Sequence, residues 1–232
     1  MTDSVKGVPG VPVIAIDGPS ASGKGTVAES VAAALGFHYL DSGAIYRVVA
    51  LAAARAGLAI DNEGCLTALA TNLHLEFGNG RILLDDADVT EAIRSEDVSR
   101  DAGRISANPE LRKALMARQL AFRRAPGLVA DGRDMGSVVF PDAVLKIFLS
   151  ASPEVRAERR YKQLKQKGMC ANLAAILEEL RLRDQRDSTR SAAPLKKCDD
   201  AVELDTSDLT IEQAVAYVLE KYRSASRAIG VR

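Results

Sequence analysis

The chain has 232 residues, 47% hydrophobic and 27% charged, ordinary for a globular protein and long enough to bury a sizeable core. Its 31 basic residues balance 31 acidic ones, which argues against a nucleic-acid polymer as partner while permitting a local anion site. The apolar run at 11–16 is far too short to span a bilayer, residues 1–12 lack the apolar core of a secretory leader, and Cys65, Cys170 and Cys198 show no metal or disulfide spacing, so a cytoplasmic location without membrane attachment is expected.

In chain order, residues 1–10 are small, polar and Gly/Pro-containing and read as a flexible lead-in. Residues 11–17 are apolar and rich in β-branched side chains, the pattern of a strand buried on both faces. A Gly/Ser-rich turn leads into a helix from about 24 to 35, stopped by Gly36. A short strand at 38–40, an Ala-rich helix at 44–56 and a short helix at 66–73 follow. Leu75 and Phe77 alternate with polar residues before Gly78-Asn79-Gly80, and apolar residues resume at 82–84, which predicts a small β-hairpin within 75–89. Residues 91–124 read as helical with a break at Asn108-Pro109, 128–131 and 144–149 as strands, and 152–190 as a charged helical stretch interrupted near Gly168. A strand at 201–204 and a helix at 211–223 complete the pattern. Strands alternating with helices predict an α/β fold with a parallel sheet.

Gly18-Pro19-Ser20-Ala21-Ser22-Gly23-Lys24-Gly25-Thr26 lies between a strand and a helix. Glycines let such a loop aim successive N–H groups at an anion, the helix adds the positive end of its dipole, and Lys24 reaches the transferring phosphates. A plain structural turn is the alternative. The hydroxyl of the strict pattern is displaced one position, from Gly25 to Thr26, which turns it by roughly 100° about the helix axis. Magnesium is therefore expected to be carried by nucleotide oxygens and water, with no direct protein ligand.

Two further clusters also follow strands. Asp41-Ser42-Gly43-Ala44-Ile45-Tyr46-Arg47 opens a helix with Ser42 as the expected N-cap, and Asp131-Gly132-Arg133-Asp134-Met135-Gly136 follows the strand at 128–131. Ligands of open parallel sheets bind beyond the carboxyl ends of the strands, although a surface turn with a weak ion pair also explains Arg133-Asp134.

The G-x-x-x-x-G-K-G-T form is similar to that of nucleoside monophosphate kinases. Asp-Gly-Pro at 17–19, Leu-Asp-Ser-Gly-Ala-Ile-Tyr-Arg at 40–47, Ala-Asp-Gly-Arg-Asp-Met-Gly at 130–136 and Arg-Asp-x-Arg-Asp-x-x-Arg at 183–190 together resemble the bacterial cytidylate kinases. The resemblance implies a P-loop kinase fold: a central parallel five-stranded sheet flanked by helices, an enlarged acceptor-binding insert with a small antiparallel hairpin, and a helical lid. It implies a core of 11–40, 108–150 and 191–232, an acceptor-binding region at 41–107 and a lid at 151–190. It implies ATP as phosphate donor on residues 18–26, with Mg²⁺, and CMP or dCMP as acceptor, with UMP or AMP as the rival acceptors. Ser42, Arg47, Arg133 and Arg190 would hold the acceptor phosphate. Tyr46, Arg183 and Asp187 would border the ribose, and Arg112 and Asp134 would meet the cytosine edge. The family often carries a serine near the base where this chain has Gly103.

Arg156, Arg159 and Arg160 fall at i, i+3 and i+4, one helix face that a lid would bring onto the ATP phosphates, the alternative being a solvated charged face. Arg183, Asp187 and Arg190 fall at i, i+4 and i+7, which a continuous helix also places on one face, with Asp187 expected to orient Arg183. The acceptor phosphate is already a dianion near neutral pH, so the reaction needs cationic screening and no strong base, which two histidines in the whole chain suit. No step calls for a second copy, and a monomer is expected.

Overall fold

The computed structural model describes residues 10–78 and 80–228; the expected lead-in at 1–10, apart from Gly10, and Asn79 of the expected turn lie outside them. The chain divides into two compact units, Asp41–Ala121 and the described parts of Lys6–Leu40 with Phe122–Arg232.

The larger unit is built on a five-stranded parallel sheet. Its strands are β1 (Val13–Asp17), β2 (His38–Asp41), β6 (Leu128–Gly132), β7 (Leu145–Ser150) and β8 (Val202–Asp205), in spatial order β2-β6-β1-β7-β8. β1 is central, paired in parallel with β6 through Val13↔Leu128 to Asp17↔Gly132 and with β7 through Ile14↔Leu145 to Asp17↔Phe148. All five β1 residues are buried, as a strand covered on both faces requires. Helices α1 (Lys24–Leu35) and α8 (Ile211–Ala228) pack on each other, α1 also on β6 and α8 on β7. Val27 and Val31 of α1, Val218 of α8 and Ile14, Ile16, Val129, Ile147 and Leu149 of the strands form this core. α1 ends where Gly36 enters the left-handed region at φ 65° and returns its N–H to the Ala32 and Ala33 carbonyls.

The segment expected to be a lid belongs to this unit as two helices packed on each other, α6 (Pro153–Gln166) and α7 (Leu173–Thr189). Ser152 caps α6 by accepting the Val155 N–H at 3.2 Å, Pro153 supplies its first turn, and Asn172 caps α7 through the Ala175 N–H at 3.1 Å.

In the smaller unit, α2 (Ser42–Arg55) packs against α3 (Glu63–Asn72) and α4 (Glu96–Ile105), and α3 against α5 (Pro109–Leu120). Residues 109–120, expected with the core, belong here instead. Leu111 and Leu115 are fully buried, and Arg118 donates to the Leu73 carbonyl at 2.9 Å. The expected hairpin is a three-stranded antiparallel sheet of β3 (Leu75–Gly78), β4 (Arg81–Leu84) and β5 (Ala87–Asp88). Asp85 and Asp86 turn the chain with φ of 49° and 65°, a two-residue turn that aspartate tolerates. β5 has only two residues, both exposed, so it leaves no apolar alternation to read. Among the described residues no helix is long and apolar enough to cross a membrane.

Candidate active site

The phosphate loop begins as β1 ends. Gly18 is forced by space: a Cβ there would lie 2.0 Å from the Leu149 carbonyl oxygen of β7. Gly23 is forced by conformation, with φ 91° at the cap of α1. Between them the loop folds back so that Lys24 Nζ donates to the Pro19 carbonyl at 3.3 Å. The loop lines a cleft of about 530 Å³ with Arg159 and Lys162 of α6, Thr206, Leu209 and Ile211, and Ala214 of α8. The lining combines cationic groups with apolar side chains, the chemistry that a nucleotide's phosphates and base require.

α6 meets this loop through two arginines with different duties. Arg159 donates to the Ser22 carbonyl at 3.0 Å, to Thr206 Oγ1 at 3.2 Å and to the Thr206 carbonyl at 2.6 Å, which docks it against the loop. Arg156, grouped by spacing with the phosphate-seeking arginines, is turned inward instead and is 3% exposed. Its guanidinium donates to the carbonyls of Ala151 at 2.9 Å and Ser20 at 3.2 Å, and pairs with Asp184 of α7 at 3.1 and 2.5 Å. Four of its five N–H donors are committed in this way, so Arg156 ties α6 to α7 and to the phosphate loop, unlike the phosphate-facing role expected for it. Arg160 lies near Gln163 Oε1, at 3.5 Å.

The end of β6 supplies the next group. Arg133 donates through Nε to Asp187 of α7 at 2.8 Å, through Nη2 to Ser20 Oγ at 2.7 Å and through Nη1 to the Gly132 carbonyl at 3.3 Å. Asp187, expected to orient Arg183, also makes a close ion pair with Arg133. Burial pushes the Asp187 carboxyl up, but Arg133's charge and hydrogen bond, and then Arg183 and Arg190, outweigh burial and hold it below the usual carboxylate range. Arg190 is the first residue past α7, with extended backbone (φ −60°, ψ 143°), and its Nε donates to the Ala193 carbonyl at 2.8 Å. The single face expected for Arg183, Asp187 and Arg190 therefore stops at Asp187.

Asp134 is buried and begins a π-helical turn at Met135–Val139. The Met135 and Gly136 N–H groups of that turn donate to the two oxygens of Asp17 at the end of β1, each at 2.8 Å. Burial pushes Asp17 up to about 6 against the pull of those two N–H donors. Tyr39 of β2 donates to Asp131 Oδ1 at 2.8 Å, and Asp131 Oδ2 lies 3.9 Å from where a Cβ on Gly25 would sit.

The Asp41–Ala121 unit carries the rest of the predicted site. Asp41, and not Ser42, caps α2: its Oδ1 accepts the Ala44 N–H at 2.9 Å, and its Oδ2 pairs with Arg47 at 2.5 Å. Asp41 keeps extended backbone, whereas Ser42 is already helical and buried, which leaves the serine outside the cap position. Arg112 of α5 is buried, donates to the Ser106 carbonyl at 3.0 Å and stacks over the Tyr46 ring, 5.7 Å from its centroid. A Cβ on Gly103 would meet nothing within 4 Å, so packing does not exclude the family's serine there.

Thr206, the inward turn of Arg156 and the bonds that Asp17 of the Asp-Gly-Pro motif accepts from Met135 and Gly136 are not evident from spacing. Asp184 stood one turn before Asp187 in the quoted 183–190 motif, which was its available signal.

The fold is shared with a solved gluconokinase from Sinorhizobium meliloti, 15% identical, with a TM-score of 0.50 over 94% of this chain and 95% of that one. Among curated proteins, a cytidylate kinase of Polynucleobacter asymbioticus is 57% identical over 93% of this chain and 98% of its own length. One of Burkholderia pseudomallei is 59% identical over 91% of this chain and 93% of its own. The family model described as cytidylate kinase matches residues 14–224. The chain belongs to the cytidylate kinase family.

Proposed function

We propose that this chain transfers the γ-phosphoryl group of ATP to CMP or dCMP, giving ADP and CDP or dCDP. The observation that carries the reading is the arginine junction at the end of β6: Arg133, held by Asp187 and by Ser20 of the phosphate loop. A guanidinium fixed against that loop supports a role at the phosphoryl group in transfer.

The reaction calls for two anions to approach, so the protein's part is positioning and charge. The loop amides of residues 18–26 cradle the ATP phosphates, and Lys24 and Arg133 face the transferring group. Arg159 and Arg160 of α6 screen the donor. Arg190 holds the acceptor phosphate, Arg183 and Asp187 border its ribose, and Asp134 reads the cytosine edge. In the other unit, Ser42 and Arg47 serve the acceptor phosphate, Tyr46 its ribose and Arg112 its base. Arginine suits the phosphate positions because its planar fork meets two phosphate oxygens at once. The acceptor arrives as a dianion, so no side chain has to remove a proton.

The oxygen donors near the loop, Thr26 and Asp131, fit a hard cation held through water. Mg²⁺, when bound there by nucleotide oxygens and water, screens the phosphate charge. A monomer in the cytoplasm is the setting this reading carries, because no step in it calls for a second copy or a membrane.

A coupled ADP-release assay across CMP, dCMP, UMP, AMP and GMP tests the reading. CMP and dCMP are expected to turn over fastest. Turnover with AMP equal to or above that with CMP refutes it.

A further inference from the structure

Two arginine–aspartate pairs join α7 to the same residue of the phosphate loop. Asp184 and Asp187 stand one turn apart on α7. Asp184 binds Arg156, whose Nη1 also reaches the Ser20 carbonyl at 3.2 Å. Asp187 binds Arg133, whose Nη2 reaches the Ser20 hydroxyl at 2.7 Å. Ser20 thus accepts one arginine on its backbone and another on its side chain, and both arginines are anchored on the same helix. Arg156 and Asp187 are almost wholly buried, so these bonds are poorly screened by solvent.

We infer that Ser20, although part of the ATP loop, acts through its hydroxyl on the acceptor: it is a positioning residue for Arg133, and the Arg156–Asp184 pair is the strut that holds it. The inference rests on the proposed function, in which Arg133 meets the transferring phosphoryl group. Arg133's plane is defined by donors at two ends, Nε on Asp187 and Nη2 on Ser20. Without the Ser20 contact, the guanidinium keeps its ion pair and the longer 3.3 Å bond from Nη1 to the Gly132 carbonyl, but its Nη2 end is released and the fork loses its alignment with phosphate oxygens. The Ser20 side chain carries this duty because its oxygen already accepts from Arg133, while its backbone N–H remains with the loop that cradles ATP.

The test is steady-state kinetics of the full-length enzyme with Ser20→Ala and Ser20→Thr, paired with calorimetric binding of a non-hydrolysable ATP analogue. A residue of the ATP loop would ordinarily move the ATP constants. The expected result is the reverse: Ser20→Ala lowers kcat/KM for CMP roughly tenfold, about 1.4 kcal/mol. Its ATP KM and analogue Kd stay within about twofold, and Ser20→Thr, which restores a hydroxyl, recovers most of the loss. Asp184→Asn is expected to shift CMP kinetics in the same direction, with little added loss in the Ser20→Ala background. If Asp184→Asn does not fold, the two Ser20 variants decide alone. Unchanged CMP kinetics in folded Ser20→Ala overturns the inference, as does a loss confined to the ATP constants or one that threonine does not recover. Failure of the proposed function looks different, because the wild-type enzyme itself would then not turn over CMP.

Discussion

Replacing Asp187 by asparagine keeps the side-chain shape and removes one negative charge from among Arg133, Arg183 and Arg190. The Asp187 side chain is 9% exposed and that of Arg133 15%, so water cannot take over the carboxylate's part. Breaking a fully buried pair costs about 3–5 kcal/mol. Arg133 keeps Ser20 Oγ, and the asparagine carbonyl can still accept its Nε, so the cost expected here is about 2–3 kcal/mol. For a chain of this length each kcal/mol moves the midpoint by about 2–4 °C, which predicts a fall of about 4–12 °C near neutral pH. A carboxylate held below its usual pKa of 3.8 contributes stability that is fully present above that value and is lost as pH falls through the lower, folded value. The gap between wild type and variant should therefore hold from pH 7 to about pH 4.5 and narrow only below about pH 4. Thermal unfolding followed by circular dichroism across that range measures it, and CMP kinetics should show a raised KM and lowered kcat. A midpoint within about 1 °C of wild type at pH 7, or a gap that widens as the pH falls, would refute the reasoning.

Lys24→Ala should leave the unfolding midpoint close to wild type and lower kcat by about 10²–10³, since it removes one preorganised donor from the transferring phosphates. Near-normal turnover in the folded variant would contradict that role. Asp17 predicts a pH effect of opposite sign to that of Asp187. Its folded pKa of about 6 lies above the ordinary carboxyl value of 3.8, so its contribution is fully present below 3.8 and is lost as pH rises through about 6, by about 3 kcal/mol in all. Chemical denaturation of wild type and Asp17→Asn at pH 4 and pH 7 checks this: the wild type should lose more stability than the variant between those values, and parallel losses would count against it.

Features set by local rules were legible in the sequence. The strand at 11–17, the loop at 18–26 and the helix stopped by Gly36 depend on burial on both faces, tight turning and a left-handed cap, each of which leaves its own residue type behind. What stayed hidden depends on partners distant along the chain. Arg156 looks like Arg159 and Arg160 by spacing, and its inward turn depends in part on Asp184 and the Ser20 carbonyl, 28 and 136 residues away. Asp187 stands one turn from Arg183, whose charge acts on it, and β6 adds Arg133 from 54 residues away, a partner that spacing does not show. The third strand at Ala87–Asp88 was invisible because it is two residues long and both are exposed, so no buried side chain marks its pairing with β4. Arg190 broke the expected helix face because α7 ends one residue before it, with the Arg190 N–H still bonded to the Arg186 carbonyl.

Asp41 divides its two carboxylate oxygens between two tasks, one starting α2 and the other orienting Arg47. Serine, threonine or asparagine could start the helix about as well. None of them brings a second, charged oxygen to the guanidinium. The helix alone would leave position 41 open to several residues, and the arginine one turn and a half later narrows the choice to aspartate. A chain that drifted at this position would keep its shape and misdirect one side chain, an error that a folding assay passes over and a substrate detects.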